Sequence, residues 1–158
     1  MSNLLSRFER IVRKANRYTE QKSGSVGGLH PFEERNIHPT FPSSVKTLFD
    51  DGHFSQSTFE AYKYLDKKIQ KLSKERDTGF KLMMKVLASE SPIIRLTNLS
   101  TSSEVDEQKG FQFIFAGSML AIRNPRGHEN LIDTPDKCLD HLSLASLMLR
   151  RLEDAGYK

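Results

Sequence analysis

Between residues 121 and 129 the chain reads AIRNPRGHE, gathering two arginines, an asparagine and a histidine around a proline and a glycine. An arginine is a permanent cation whose planar fork of donors fits phosphate oxygens. A histidine with an ordinary pKa of about 6.5 gives or takes a proton near neutral pH. Arg123 and His128 could therefore supply charge stabilisation and general acid–base chemistry at a phosphate, with Asn124 as a neighbouring hydrogen-bonding group. RNA carries its own nucleophile, the 2′-hydroxyl, so such a pair demands no metal and no cofactor. Taken alone the spacing is common. An arginine binding the last carbonyls of its own helix, and a histidine capping the next one, would account for it equally well.

The elements that position these residues are helical. GFQFIFAGSMLAI, residues 110–122, is mostly apolar, with Phe111, Phe115, Ser118 and Ile122 along one face and Phe113, Ile114, Met119 and Leu120 on others. A helix of this kind is buried nearly all round, in its own core or shared with a partner subunit. Ser103 followed by Asp106 resembles a capping box at its start. Pro125 disfavours helical geometry in the residue before it, and Gly127 adds a further break, so the helix is expected to end near Asn124 and leave His128 in a loop. The final helix begins at Thr134 and Pro135, carries Leu139, Leu142, Ala145, Met148 or Leu149, and Leu152, and stops before Gly156.

Upstream, HPTFPSSVKTLFDDG predicts a short helix. Residues 55–76 predict a longer one, striped by Phe59, Tyr62, Leu65, Ile69 and Leu72, and Gly79 opens another short one. SPIIRLTNLST reads as an extended segment or small hairpin arm, too little for a sheet. Residues 1–17 predict a basic amphipathic helix, with Arg7, Arg10, Lys14 and Arg17 opposite Leu4, Phe8 and Ile11. Residues 18–37, rich in Ser and Gly, read as a linker, and 38–158 as the main domain. The fold class is all-α, a bundle of four to five helices preceded by that basic helix.

The totals narrow the function. The 158 residues carry a net charge of +4, and the positive residues crowd particular stretches, which suits an anionic partner. The single cysteine, Cys138, forms no internal disulfide, no apolar run reaches bilayer length, and the N-terminal charges are interleaved unlike a signal peptide, so a cytoplasmic protein without a membrane partner is expected. His38, His53 and His141 lack metal-ligand spacing, and neither GxSxG nor a phosphate-cradling glycine loop is present.

A motif of the form RNxxxH at the end of an apolar helix, leading into the last helix of a small all-α domain, resembles the HEPN (higher eukaryotes and prokaryotes nucleotide-binding) superfamily. The wider pattern is similar to its bacterial Ymh-type family, through His38-Pro39, LFDDGHF at 48–54, EAYK at 60–63, SEVDEQKGF at 103–111, AIRNPRGHE at 121–129 and LASLMLRRL at 144–152. The resemblance implies a homodimer whose two motifs form one composite cleft, acting as a metal-independent endoribonuclease that leaves 2′,3′-cyclic phosphate and 5′-hydroxyl ends. By position, Arg123 would stabilise the phosphate, His128 would act as general acid or base, and Asn124 would orient the scissile group. Arg126, Glu60 and Arg150 are the further RNA-contacting candidates. The settings associated with such domains are toxin or antiphage function, with RNA, a second copy, and a cognate antitoxin or defence-system protein as partners. The alternative is a non-catalytic module that binds RNA or a nucleotide, or recruits a partner.

Overall fold

The computed structural model describes residues 28–158, so the basic helix expected over 1–17 lies outside the described residues. One compact unit spans Pro31–Lys158, beginning inside the stretch read as linker. Among the described residues there is no strand. The elements are α1 (Pro31–Glu34), α2 (Ser43–Asp50), α3 (Phe54–Ser73), α4 (Gly79–Val86), α5 (Ser102–Ser118), a π-helical segment (Met119–Arg123), α6 (Asn124–His128) and α7 (Pro135–Asp154). The excess over four or five helices comes from the short turns α1 and α6. Residues 87–101 are irregular, and Ile94 and Leu96 plug into the core instead of forming an arm.

α3 is the central helix. Ala61, Tyr62, Leu65 and Ile69 are fully buried along one side of it, where α2, α4 and α7 pack. It stops where Lys74 turns left-handed, at φ 57°. α7 starts as its sequence dictates: the Thr134 hydroxyl accepts the Lys137 N–H, and Pro135, with no N–H to satisfy, is the first helical residue. Leu139, Leu142, Ala145, Met148, Leu149 and Leu152 then face inward, and Gly156 at φ 88° closes the helix.

The cap of α5 lies two residues before the expected one. Thr101 accepts the Glu104 N–H, and the Glu104 carboxylate reaches back to the Thr101 N–H, each at 3.2 Å. Glutamate spans that gap, whereas the shorter Asp106 is not used from Ser103. α5 is also not buried nearly all round. Gln108, Gln112, Phe115 and Ala116 face the core, but Phe113 is 53% exposed, Ile114 40% and, just beyond α5, Leu120 49%. These three give the outer side an apolar character.

Candidate active site

The largest departure from the sequence reading occurs at the motif. The apolar helix does not end near Asn124; it passes through Pro125 and continues to His128. A proline inside an α-helix loses one ladder bond and clashes with the carbonyl four residues back. The chain relieves this by widening one turn: the Asn124 N–H donates to the Met119 carbonyl, five residues back, across the π segment. The Arg126 guanidinium then donates to the Ile122 carbonyl at 2.8 Å, supplementing the disturbed ladder. Arg123 therefore stands within a continuous helical path, and His128 belongs to a helical turn rather than a loop.

Arg123 is half-buried. Its guanidinium carbon lies 5.5 Å from the ring centroid of Phe59 on α3, and Nη1 donates to the Asn124 side-chain oxygen at 3.3 Å. Its Nε is buried without a hydrogen-bond partner, and no carboxylate pairs with it among the described residues. Phe59, expected only as core stripe, is thus the platform that holds the arginine. The same ring faces Gly127, where an added Cβ would come within 2.9 Å of Phe59 Cε2, so glycine serves here as a close approach between α6 and α3 and not as a flexible loop residue.

Position 127 faces α3, and one residue advances a helix by about 100°, so His128 turns away from α3. Its imidazole is exposed and makes no hydrogen bond to a described residue. Over five helical residues Arg123 and His128 diverge by roughly 140° around the axis, so one copy of the chain does not aim both at a single phosphate.

Arg126 is turned inward, away from solvent. As an RNA contact its guanidinium would need to reach solvent, yet it forms a two-pronged ion pair with Asp133, Nε to Oδ2 at 2.6 Å and Nη2 to Oδ1 at 2.8 Å, with the side chains 3% and 0% exposed. Lys137 adds a contact to Asp133 at 3.1 Å. Burial works against the Asp133 carboxylate, but the bonds from Arg126 and Lys137 outweigh it and hold the group below the usual carboxylate range. Asp133 escaped the sequence reading because nothing local marks a loop aspartate as the partner of an arginine seven residues earlier. Ser55, at the start of α3, fixes this loop by donating to the Leu131 carbonyl at 2.7 Å and accepting the Asp133 N–H at 3.0 Å. Beneath it, burial raises the Tyr62 phenol above its usual range and lowers the His141 imidazole, which the Arg126 charge lowers further. The Tyr62 hydroxyl donates to the His141 carbonyl at 3.0 Å.

Arg150 stands apart from the motif. It donates to the Asn36 carbonyl after α1, about 20 Å along α7 from the Asp133 end, and is not brought to the motif. Glu60 pairs with Lys63 at 2.9 Å and lines an open groove of about 660 Å³ with Phe59, Ser43 and Thr47, next to the Arg123 platform. The structure thus brings together Arg123, Asn124, Phe59 and the Glu60 groove, and it leaves His128 on the solvent side of the same turn. Among the described residues no group of three or more His, Cys, Asp or Glu is placed to hold a metal ion, and no helix is long and apolar enough to cross a membrane.

No curated protein and no solved structure matches the chain. A family model described as "Protein of unknown function (Hypoth_ymh)" matches residues 35–152, most of the chain, and the chain belongs to that family.

Proposed function

We propose that this protein is a metal-independent endoribonuclease of HEPN type that works as a homodimer, in a toxin or antiphage role. The observation that carries the reading is the contrast between its two motif arginines. Arg126 is neutralised and buried by Asp133, whereas Arg123 is held on Phe59 beside Asn124 with an unpartnered Nε and no counter-anion among the described residues. A half-desolvated guanidinium of this kind gains more from a phosphate than a solvated one does.

The divergence of Arg123 and His128 within one copy fits a cleft shared by two copies, each lending a motif. The exposed Phe113, Ile114 and Leu120 lead along the same helical path toward Asn124 and supply an apolar surface for that pairing. In the shared cleft the 2′-hydroxyl attacks the adjacent phosphorus and the 5′-oxygen leaves. One imidazole takes or delivers the proton, and Arg123 with Asn124 stabilises the charge on the phosphorane.

The test is incubation of the purified protein with total RNA in EDTA beside Arg123→Ala and His128→Ala. The expected result is cleavage with 2′,3′-cyclic phosphate ends, lowered about 100-fold or more in each variant; equal cleavage by all three proteins retires the reading. One observation favours a second reading, a module that binds RNA without cutting it: among the described residues His128 has no hydrogen-bonding neighbour to orient its imidazole. Persistent binding with no cleavage product would select it.

A further inference from the structure

The solvent side of α3 carries an unusual run of charge. Lys63, Lys67, Lys68, Lys71 and Lys74 lie within twelve residues, and the one acid among them, Asp66, is buried and bonded to the Gly79 N–H at 2.8 Å. Lys63, Lys67 and Lys71 recur every fourth residue and so form one stripe about 12 Å long. Phe59 begins the same stripe one turn earlier, and its ring is the platform of Arg123. At the other end Lys67, Lys68, Lys71 and Lys158 surround a cleft of about 440 Å³ beside Tyr64 and Leu72.

Several cations elsewhere are matched locally. Lys81 and Lys85 face Asp77 and Glu75, Arg35 faces Asp140, and Arg151 faces Glu107. On α3, Lys63 pairs with Glu60 and Lys67 donates to the neutral Gln70 side chain, while Lys68 and Lys71 meet no carboxylate among the described residues. Like charges one turn apart repel and destabilise a helix, so the stripe weakens the fold that bears it. A polyanion laid along it would relieve that repulsion and release counterions.

We infer that the Lys63–Lys67–Lys71 stripe with Lys68 is a track for the backbone of a single-stranded RNA, leading away from the Arg123–Phe59 platform to the cleft beside Tyr64. The inference rests on the proposed RNA-directed function and gives it a substrate path. Each lysine contacts a phosphate as a point charge, so the track grips the strand without reading its bases. The Tyr64 ring, half-buried and set edge-on against Phe41 at 5.9 Å, borders the end of the path as a rigid apolar surface.

The experiment measures binding of a labelled single-stranded 2′-O-methyl oligonucleotide, which has no free 2′-hydroxyl and is not cut, across a KCl series. Neutralising Lys67→Gln, Lys68→Gln and Lys71→Gln together should lower the slope of log K against log salt by about 2 and weaken binding about 100-fold at 0.1 M. The charge-keeping Lys→Arg triple should bind as wild type. An off-track triple, Lys46→Gln, Lys81→Gln and Lys109→Gln, removes the same charge from exposed positions and should bind within a few-fold of wild type. Equal losses in both Gln triples, an unaffected track triple, or wild type that binds no oligonucleotide overturns the track. So does a track triple that loses binding only to phosphatidylserine vesicles. Cleavage of unmodified RNA is followed in parallel: track-dependent binding without cleavage retires the nuclease reading and keeps the track.

Discussion

Replacing Asp133 by alanine tests the structural core of the motif. Arg126 and Asp133 are both nearly fully buried, joined by two short bonds, and Lys137 approaches the same carboxylate. The intact pair contributes little net stability, because its attraction roughly repays the removal of two charges from water. Removing one partner is different: the guanidinium stays buried with, among the described residues, only the Ile122 carbonyl to answer it, a situation that costs about 3–5 kcal/mol. For a unit the size of Pro31–Lys158 that corresponds to a melting point lower by about 10–20 °C. Replacing both partners by apolar residues of similar volume, Arg126→Met with Asp133→Leu, should recover most of the loss. The assay is urea unfolding and thermal melting of Asp133→Ala, of Arg126→Met and Asp133→Leu as single variants, and of their double. Refutation would be a single variant within about 3 °C of wild type, or a double variant whose loss equals the sum of the singles.

Further outcomes follow from the same geometry. Gly127→Ala places a methyl 2.9 Å from Phe59 and must displace the ring under Arg123; overpacking of about 1–3 kcal/mol should exceed the roughly 1 kcal/mol of helix propensity gained, and Phe59→Leu should relieve it in a double-mutant cycle by urea unfolding. Gln108, fully buried, donates to the Leu87 and Ile94 carbonyls and accepts the Leu96 N–H, so Gln108→Leu orphans three backbone groups and should cost about 3 kcal/mol or more in the same measurement. Burial, reinforced by Arg126, keeps the His141 imidazole below its ordinary value of 6.5. The unfolded chain then takes up that proton first, and stability falls as pH drops below about 6.5, by at most about 1.4 kcal/mol per pH unit from this group. His141→Gln should flatten that window in unfolding curves at stepped pH, whereas the contribution of Asp133, whose folded value is depressed, is intact above 3.8 and is lost only as pH falls through that lower value.

What could be read from the sequence was local. Thr134 followed by Pro135 marks a helix start through two residues whose backbone preferences agree, and α7 begins there. The stripe of Tyr62, Leu65 and Ile69 needed only the helical repeat to place it in the core. The start of α5 was harder because LSTSSEVDE offers several hydroxyl–acid pairs, and the length of the acid side chain decided among them. At the motif, Pro125 carried a correct local message that tertiary contacts overrode. The widened turn is supported from outside by Asp133 through Arg126, and by Phe59 packing on Gly127. The two arginines look alike in sequence; only their surroundings separate the one locked to a carboxylate from the one that meets no anion among the described residues.

The π segment also sets a phase. Everything beyond Arg123 is rotated relative to α5 by the one surplus residue that the wide turn absorbs, about 100° in an α-helical frame. Asn124 and Gly127 face where they do because of a residue count, not because of any side chain in the turn. The surplus residue therefore works as a vernier between two surfaces: the apolar side of α5 keeps one bearing, and the polar end of the helix keeps another. Loss of a single residue between 119 and 123 would leave composition nearly untouched and yet turn Gly127 off Phe59 and Arg126 off Asp133. In this chain, alignment is the quantity most exposed to a one-residue change in length.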